Sequence, residues 1–153
     1  MTIAFRQRLA ALSILVLVAT AAPSWAALGR RVESVAVDQQ RLQGERRSVA
    51  GEGFQVEEIA SADGTLVREY VSPTGEIFGV SWRGLAVPDL ALLLGDYLAE
   101  FRGAARSTTR RHRPLVVRTE RLVVEMGGHV RAFHGRAYLP GALPDTVPQE
   151  VVR

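Results

Sequence analysis

The sequence predicts an α+β fold: an antiparallel sheet, made of a three-stranded meander plus a C-terminal hairpin, with one main helix packed on one face. Three short runs rich in β-branched and aromatic residues lie between residues 54 and 82, separated by glycine-containing turns. An apolar stripe with helical spacing follows over 88–101, and a glycine pair at 127–128 separates two further β-rich runs. Strands that are grouped apart from a helix are typical of the α+β class.

The chain begins with a pattern typical of an export signal. Arg6 and Arg8 precede an apolar run of 14 residues that ends at Ala22, which is shorter than the ~20 residues that span a bilayer. We therefore expect a signal peptide over 1–26, cleaved after Ala26. The alternative is an uncleaved membrane anchor. After cleavage we expect no transmembrane segment and a periplasmic or secreted location.

Composition narrows the possible chemistry. The chain has no cysteine, which excludes a disulfide framework, thiolate metal ligands and a cysteine nucleophile. All of its basic residues are arginine, with seven arginines against twelve acidic residues over 27–101 and ten against four over 102–153. The C-terminal part is therefore the basic one. A net charge of only +1 after loss of the two leader arginines disfavours nucleic acid as the partner.

The first folded part is predicted to be a short strand and a loop, followed by the meander. The predicted elements are the strand and loop over 27–53 and strands over 54–60, 65–71 and 76–82. Three-residue turns ending in Gly64 and Gly75 set the register. This register places Glu58 opposite Arg68, Tyr70 opposite Phe78, Arg68 opposite Val80 and Glu57 opposite Glu69. It predicts one aromatic face, a cross-strand ion pair, and an exposed acidic pair that is solvated or holds a cation.

The main helix is predicted over 88–101, where leucines and aromatic residues recur at helical spacing behind Pro88 and Asp89. Each such side chain contributes roughly 1.5–3 kcal/mol on burial, so we expect the helix to dock on the aromatic face of the sheet. The arginine-rich segment 102–114 is predicted to be a solvated loop. The alternative is an arm for anionic partners.

The C-terminal hairpin is predicted to comprise strands over 115–126 and 129–139 with a Gly-Gly turn, so that Met126 pairs with His129. In this register Arg121 lies opposite His134. The candidate ligand-binding residues are Arg121, His134, Arg136 and Tyr138. Guanidiniums bind phosphate or carboxylate with paired hydrogen bonds, so the expected partner is an anionic envelope lipid or glycan. The alternative is a solvated face whose arginines pair with Glu125 or the acidic N-terminal part. The α+β domain is thus expected over 54–139, followed by a loosely held tail over 140–153.

Three segments together resemble a known family. The segments REYVSPTGEIFGVSWRG, PDLALLLGDYL and GGHVRAFHGRAYLP occur in this order, with Leu28-Gly29 and Asp38 nearer the start. They resemble the exported proteobacterial proteins grouped as domain of unknown function 2844. Leu85 follows Gly84 where that family has a Gly-Pro, so the approach to the helix differs. The resemblance implies an exported single domain and implies no chemistry.

No motif of an enzyme or a cofactor site is present: the sequence lacks a phosphate loop, a GxSxG elbow, an HExxH zinc motif and a GxGxxG fingerprint. We therefore expect no cofactor. We also expect no metal site, because His129 and His134 are an odd number of residues apart on one strand and point to opposite faces.

The expected function is a non-enzymatic exported binding or envelope-associated module. The alternative is a small periplasmic hydrolase using His134. Hydrogen bonding of His134 to a serine or carboxylate in a cleft would favour the enzyme, and an open basic sheet face would favour binding. The sequence indicates neither the ligand nor the oligomeric state.

Overall fold

The computed structural model describes residues 27–108 and 114–153, which form a seven-stranded antiparallel sheet with three short helices. The predicted signal peptide lies outside these residues. The strands are β1 (Glu45–Ala50), β2 (Gln55–Ala60), β3 (Leu66–Val71), β4 (Ile77–Gly84), β5 (Leu115–Arg118), β6 (Val123–His129) and β7 (Ala132–Tyr138). Their order across the sheet is β1-β2-β3-β4-β7-β6-β5. Two meanders, β1 to β4 and β5 to β7, therefore meet at the β4–β7 pair.

The helices are α1 (Val35–Leu42), α2 (Leu90–Leu94) and α3 (Leu98–Arg106). The predicted helix over 88–101 is thus divided: a 3₁₀ turn at Gly95–Tyr97 separates α2 from α3, which continues into the segment predicted to be a loop. The Asp89 carboxylate caps α2 by accepting a hydrogen bond from the Ala91 amide at 2.8 Å. Within the described ranges, no helix combines the length and apolar character that crossing a membrane requires.

The number of strands was predicted wrongly, although the α+β class holds in broad terms for this mostly β structure. Residues 27–53 contain α1 and the edge strand β1, in place of the predicted short strand and loop. Every residue of β1 is exposed. Neither of its faces needs apolar residues, so its sequence lacks the alternation that predicts a strand. The predicted strand over 115–126 is two strands, because a turn closed by the Thr119 amide and the Leu122 carbonyl at 2.9 Å reverses the chain. The sheet is therefore not a three-stranded meander plus a hairpin.

A β-bulge divides the predicted aromatic face between the two sides of the sheet. Tyr70 pairs with Gly79 and not with Phe78, because Phe78 is the extra residue of the bulge. Beyond the bulge the alternation of β4 is shifted by one residue, so Trp82 packs in the core beneath the helices. Phe78 instead packs with Tyr70 and Phe54 on the opposite face. The prediction that the helix docks on a single face carrying all the aromatic residues is therefore wrong.

The tail, residues 140–153, packs against the sheet on the side opposite the helices, and we call this side the tail-bearing face. Val147 and Val152 are 6% and 0% exposed and belong to a second apolar cluster with Tyr138. A Cβ at Gly79 would lie 2.7 Å from a Val152 methyl group, so glycine makes the close approach possible. The structure thus differs from the expectation of a loosely held tail. Its scattered valines show no period that the sequence alone would reveal.

The β6–β7 connection also differs from the prediction. Gly127 and Gly128 lie inside β6, and His129 pairs with Ala132 around a turn at Val130 and Arg131, where Arg131 has a φ of 66°. Met126 consequently pairs with Gly135 and not with His129. The register is also stabilised through β4, where the Trp82 ring lies so close to Gly135 that a Cβ there would be 2.2 Å from it. Packing of the indole on this glycine outweighs the local preference of Gly-Gly for a turn.

Candidate ligand-binding groove

Polar residues from six neighbouring strands line up across the tail-bearing face, and we call this set the cross-sheet row. In order from β1 to β6 through the sheet, the row comprises Arg47, Glu58, Arg68, Ser81, Arg136 and Glu125. The predicted pair of Glu58 and Arg68 is confirmed, with Arg68 Nε donating to Glu58 Oε1 at 2.7 Å. The predicted pairing of Arg68 with Val80 is wrong, because the bulge brings Ser81 to that position.

Each carboxylate of the row is shared by two guanidiniums. Glu58 accepts hydrogen bonds from both of its arginine neighbours, which hold the pKa of Glu58 below its usual range, the Arg68 bond having the larger effect. Glu125 accepts from Arg136 at 2.9 Å and from Arg118 at 2.7 Å. Two carboxylates therefore face four guanidiniums, which leaves the face with an excess of positive charge.

A groove of about 730 Å³ lies along the middle of the cross-sheet row. Four members of the row line it: Arg68, Ser81, Arg136 and Glu125. The other lining residues are Leu66, Trp82, Arg83, Pro114, Val116, Met126, Gly127, His134, Gly135 and Arg153. Cationic and apolar side chains thus share one concave surface, a combination common in sites for small ligands.

Arg83 and His134 lie opposite each other on β4 and β7 and both line the groove. Both are exposed, and neither has a hydrogen bond or an ion pair with another residue of 27–108 or 114–153. Gly127 pairs with His134, and a Cβ at Gly127 would lie 2.9 Å from His134 Nε2, so the glycine leaves room for the imidazole. The groove therefore contains a guanidinium and an imidazole on paired positions of neighbouring strands.

The tail helps to fix the two row arginines that line the groove. Arg68 Nη1 donates to the main-chain oxygen of Arg153 at 3.2 Å, and the Tyr70 hydroxyl donates to the same oxygen at 2.7 Å. Arg136 Nη1 donates to the Val152 oxygen at 3.3 Å. Since each guanidinium is held by a carboxylate on one side and by the tail on the other, its orientation is set before any ligand binds.

The structure brings together only part of the predicted site. His134 and Arg136 line the groove, as residues two apart on β7. Tyr138 lies on the same face but is buried beneath the tail, where its hydroxyl donates to Gln149 Oε1 at 2.6 Å and its burial raises the pKa of the phenol. Arg121 is not opposite His134: it lies in the turn before β6, where it pairs with Glu100 of α3. The shift in the β6–β7 register accounts for this separation.

Sequence reasoning missed Arg83 as a groove residue. The turn-based register could not place it, because β4 and β7 pair over a long separation in sequence, with Arg83 opposite His134. Of the predicted basic segment, Arg102 and Arg106 lie in α3, and residues 109–113 fall outside the described part of the chain.

A second group of ionisable side chains is buried on the helix-bearing side of the sheet. Glu57 pairs with Glu69 as predicted, but both are 0% exposed, so the expectation of an exposed pair is wrong. Burial alone would raise the pKa of Glu57, but hydrogen bonds led by that from Arg46, at 2.6 Å, outweigh it and lower the pKa. Neither Glu69 oxygen has a hydrogen-bond partner among residues 27–108 and 114–153. Burial, reinforced by the nearby Asp38 charge, raises the pKa of Glu69 to about 8.

Asp38 of α1 is the third member of this buried group. It is 1% exposed, and its Oδ2 has no hydrogen-bond partner in the part of the chain that the structure describes. Burial raises the pKa of Asp38 to about 6, against the opposing charge of Arg41. Among the described residues, no three histidine, aspartate or glutamate side chains are placed to hold a metal ion together.

Comparison with known proteins identifies a family without a described activity. No curated protein and no solved structure matches the chain. A family model described as a protein of unknown function, DUF2844, matches residues 24–152. The match includes all seven strands and almost the whole tail. It confirms the resemblance seen in the sequence segments, and the chain therefore belongs to the DUF2844 family.

Proposed function

We propose that this protein is a non-enzymatic binding module whose groove holds an anionic group of the cell envelope. The observation that carries the proposal is the pair of Arg83 and His134, which has no partner among the described residues and lies in a groove with a positive surplus. Four arginines line the groove, Arg68, Arg83, Arg136 and Arg153, against one lining carboxylate among the described residues, that of Glu125. The chemistry recognised is an anionic oxygen group, either the phosphate of a lipid headgroup or the carboxylate of an acidic glycan.

The geometry supports binding by charge-assisted hydrogen bonds. The Arg83 guanidinium presents a planar set of donors that fits two oxygens of a phosphate or carboxylate. A protonated His134 directly across the strand pair would add a further donor and a further charge. Apolar lining residues such as Leu66 and Val116 would contact the uncharged part of the same ligand.

The alternative of a hydrolase using His134 has less support. A histidine acting as a general base needs a nucleophile or a water that it can activate, and usually a third group that orients the ring. His134 has no hydrogen bond to a serine or a carboxylate within residues 27–108 and 114–153. Ser81, the serine that lines the groove, lies next to the Tyr70 hydroxyl, 3.3 Å from it. Binding is therefore the function that we propose.

Calorimetric titration with soluble probes tests the groove. We expect sn-glycerol 3-phosphate or galacturonate to bind, more weakly at high salt, and neutral glycerol not to bind. The stronger of the two anions identifies phosphate or carboxylate as the preferred group. Arg83→Gln should weaken binding about tenfold or more, because a hydrogen bond to a charged group contributes roughly 1.5–3 kcal/mol.

The matched control is Arg102→Gln, which removes an exposed guanidinium from α3 on the other side of the sheet. This variant should bind as the unsubstituted protein does. Failure of both anions to bind, or equal binding by Arg83→Gln and Arg102→Gln, would contradict the proposed groove function.

Export through the leader over 1–26 is part of the same proposal. The family match begins at residue 24, so the basic and apolar part of the leader lies outside the family region. The first described residue, Ala27, is 0% exposed, and its amide donates to the Leu92 carbonyl at 3.1 Å. Intact-mass measurement of periplasmic protein should give a chain that begins at Ala27, and recovery of the full-length chain in the membrane fraction would contradict cleavage.

A further inference from the structure

Exposed aliphatic side chains are concentrated at one end of the sheet. Among the described residues, the large apolar side chains left exposed are Leu85 (51%), Val87 (42%), Val130 (80%) and Val49 (38%). Leu85 and Val87 follow the end of β4, and Val130 lies in the turn between β6 and β7. Since Gly84 pairs with Phe133, these two segments leave the sheet at the same end. We call Leu85, Val87 and Val130 the apolar edge.

The charges beside the apolar edge are cationic. Arg83 lies two residues before Leu85, and Arg131 adjoins Val130; both are exposed. The segments that supply the edge, 79–88 and 126–144, contain no aspartate or glutamate. The nearest acidic residue in sequence, Asp89, accepts the capping hydrogen bond of α2. The Asp63 carboxylate also lies at this end of the sheet, and it accepts a hydrogen bond from the Thr65 amide at 2.8 Å.

From this combination we infer that the apolar edge inserts into the surface of an anionic lipid bilayer. Aliphatic side chains on loops that also carry exposed arginines complement a bilayer surface that is apolar below a layer of negative charge. A soluble anion would be bound by the arginines but would leave the three aliphatic side chains in water. The inference rests on Leu85, Val87, Val130 and Arg131, none of which belongs to the proposed groove, and it shares only Arg83 with that groove.

Insertion is measured with a single environment-sensitive dye. Because the chain has no cysteine, Val130→Cys provides a unique labelling position at the hairpin turn. The probes are vesicles of phosphatidylglycerol mixed with phosphatidylcholine, and vesicles of phosphatidylcholine alone. We expect the emission of the dye to shift to shorter wavelength with the anionic vesicles only. The matched control is Val49→Cys on β1. Val49 pairs with Val56 towards the other end of the sheet, so the emission of a dye at this position should not shift.

Cosedimentation with the same vesicles measures affinity. The double variant Leu85→Ser/Val130→Ser should bind the anionic vesicles at least five-fold more weakly, and Val49→Ser should bind as the unsubstituted protein does. Arg131→Gln should weaken binding by about five-fold, which is typical for one cationic residue at an anionic surface. All of these positions are exposed, so the variants should keep the fold, as circular dichroism will verify.

The outcomes separate this inference from the groove. Vesicle binding that persists in the absence of any binding of glycerol 3-phosphate or galacturonate would support the apolar edge and contradict the groove. No binding to anionic vesicles, equal binding to both kinds of vesicle, or unchanged binding by Leu85→Ser/Val130→Ser would overturn the apolar edge. An equal dye shift at positions 49 and 130 would overturn it as well.

Discussion

Replacing Glu69 by glutamine should remove most of the loss of stability that the protein suffers as the pH rises above neutrality. The ordinary pKa of the side chain is 4.5, and burial raises it to about 8 in the folded protein. Between these values the unfolded chain releases the proton while the folded chain keeps it, so stability falls as the pH rises. A difference of one pKa unit corresponds to about 1.4 kcal/mol. The loss of stability that Glu69 causes should therefore reach roughly 3 kcal/mol at pH 7.

The pH range of the assay is chosen to isolate Glu69 from Asp38. The pKa of Asp38 rises from 3.8 only to about 6, so its contribution is nearly complete by about pH 6.5. From about pH 6.5 to about pH 8, the Glu69 carboxyl alone should lower the free energy of unfolding by roughly 1.5–2 kcal/mol. In Glu69→Gln the buried amide would also have unsatisfied polar atoms. They should lower the free energy of unfolding by about 1–3 kcal/mol, and this effect does not vary with pH.

Urea denaturation at closely spaced pH values measures this difference. We expect the free energy of unfolding of the unsubstituted protein to fall over the range and that of Glu69→Gln to stay nearly level. Glu120→Gln, a change at an exposed glutamate outside the sheet, is the control and should follow the unsubstituted protein. Parallel curves for Glu69→Gln and the unsubstituted protein would refute the reasoning, since they would mean that the buried carboxyl does not titrate in this range.

Two further predictions concern the core. Leu94 is 0% exposed, so Leu94→Asp should lower the free energy of unfolding by at least about 3 kcal/mol. Arg106→Ala, at the exposed end of α3, should change it little. Equal small shifts in Tm for the two variants would contradict the helical packing. Gly135→Ala should cost about 1–3 kcal/mol by overpacking and alter the fluorescence of Trp82, because the added methyl would lie 2.2 Å from the indole. Gly141→Ala, with nothing within 4 Å of the added Cβ, should do neither, and similar urea midpoints for the two alanine variants would contradict the packing of Trp82 on Gly135.

The turns of the first meander could be predicted because their geometry is local. The Ser61 amide donates to the Thr65 carbonyl at 2.8 Å, and the Ser72 amide donates to the Glu76 carbonyl at 2.8 Å. Turn residues fix the pairing of the next few positions, and this is why the contact of Glu58 with Arg68 was predicted correctly. The bulge at Phe78 could not be predicted in this way. One extra residue reverses which side chains face the core, and it is stabilised by packing against distant residues of the tail.

The candidate site was only partly predictable for a related reason. Alternation along one strand placed His134, Arg136 and Tyr138 on a common face, and the structure agrees. Their neighbours depend on pairing between strands distant in sequence, which no local pattern specifies. Arg121 was therefore assigned to the candidate binding face, and Arg83 was missed. The burial of Glu57 and Glu69 was missed because alternation shows which residues share a face, but does not show that α1 covers that face with Asp38.

The meeting of the two meanders at β4 and β7 has a consequence for the order of folding. Pairs within each meander join strands that are neighbours in the chain. Gly79 and Tyr138 of the central pair are instead separated by α2, α3 and nearly all of the second meander. Local hairpins form rapidly, and closing a long loop is slower, so docking of the preformed meanders is expected to be the late step. Arg83 and His134 stand on opposite sides of that junction. The groove therefore comes into existence only when the two halves dock, and a variant with intact hairpins but a weakened junction would lose its ligand before it loses its secondary structure.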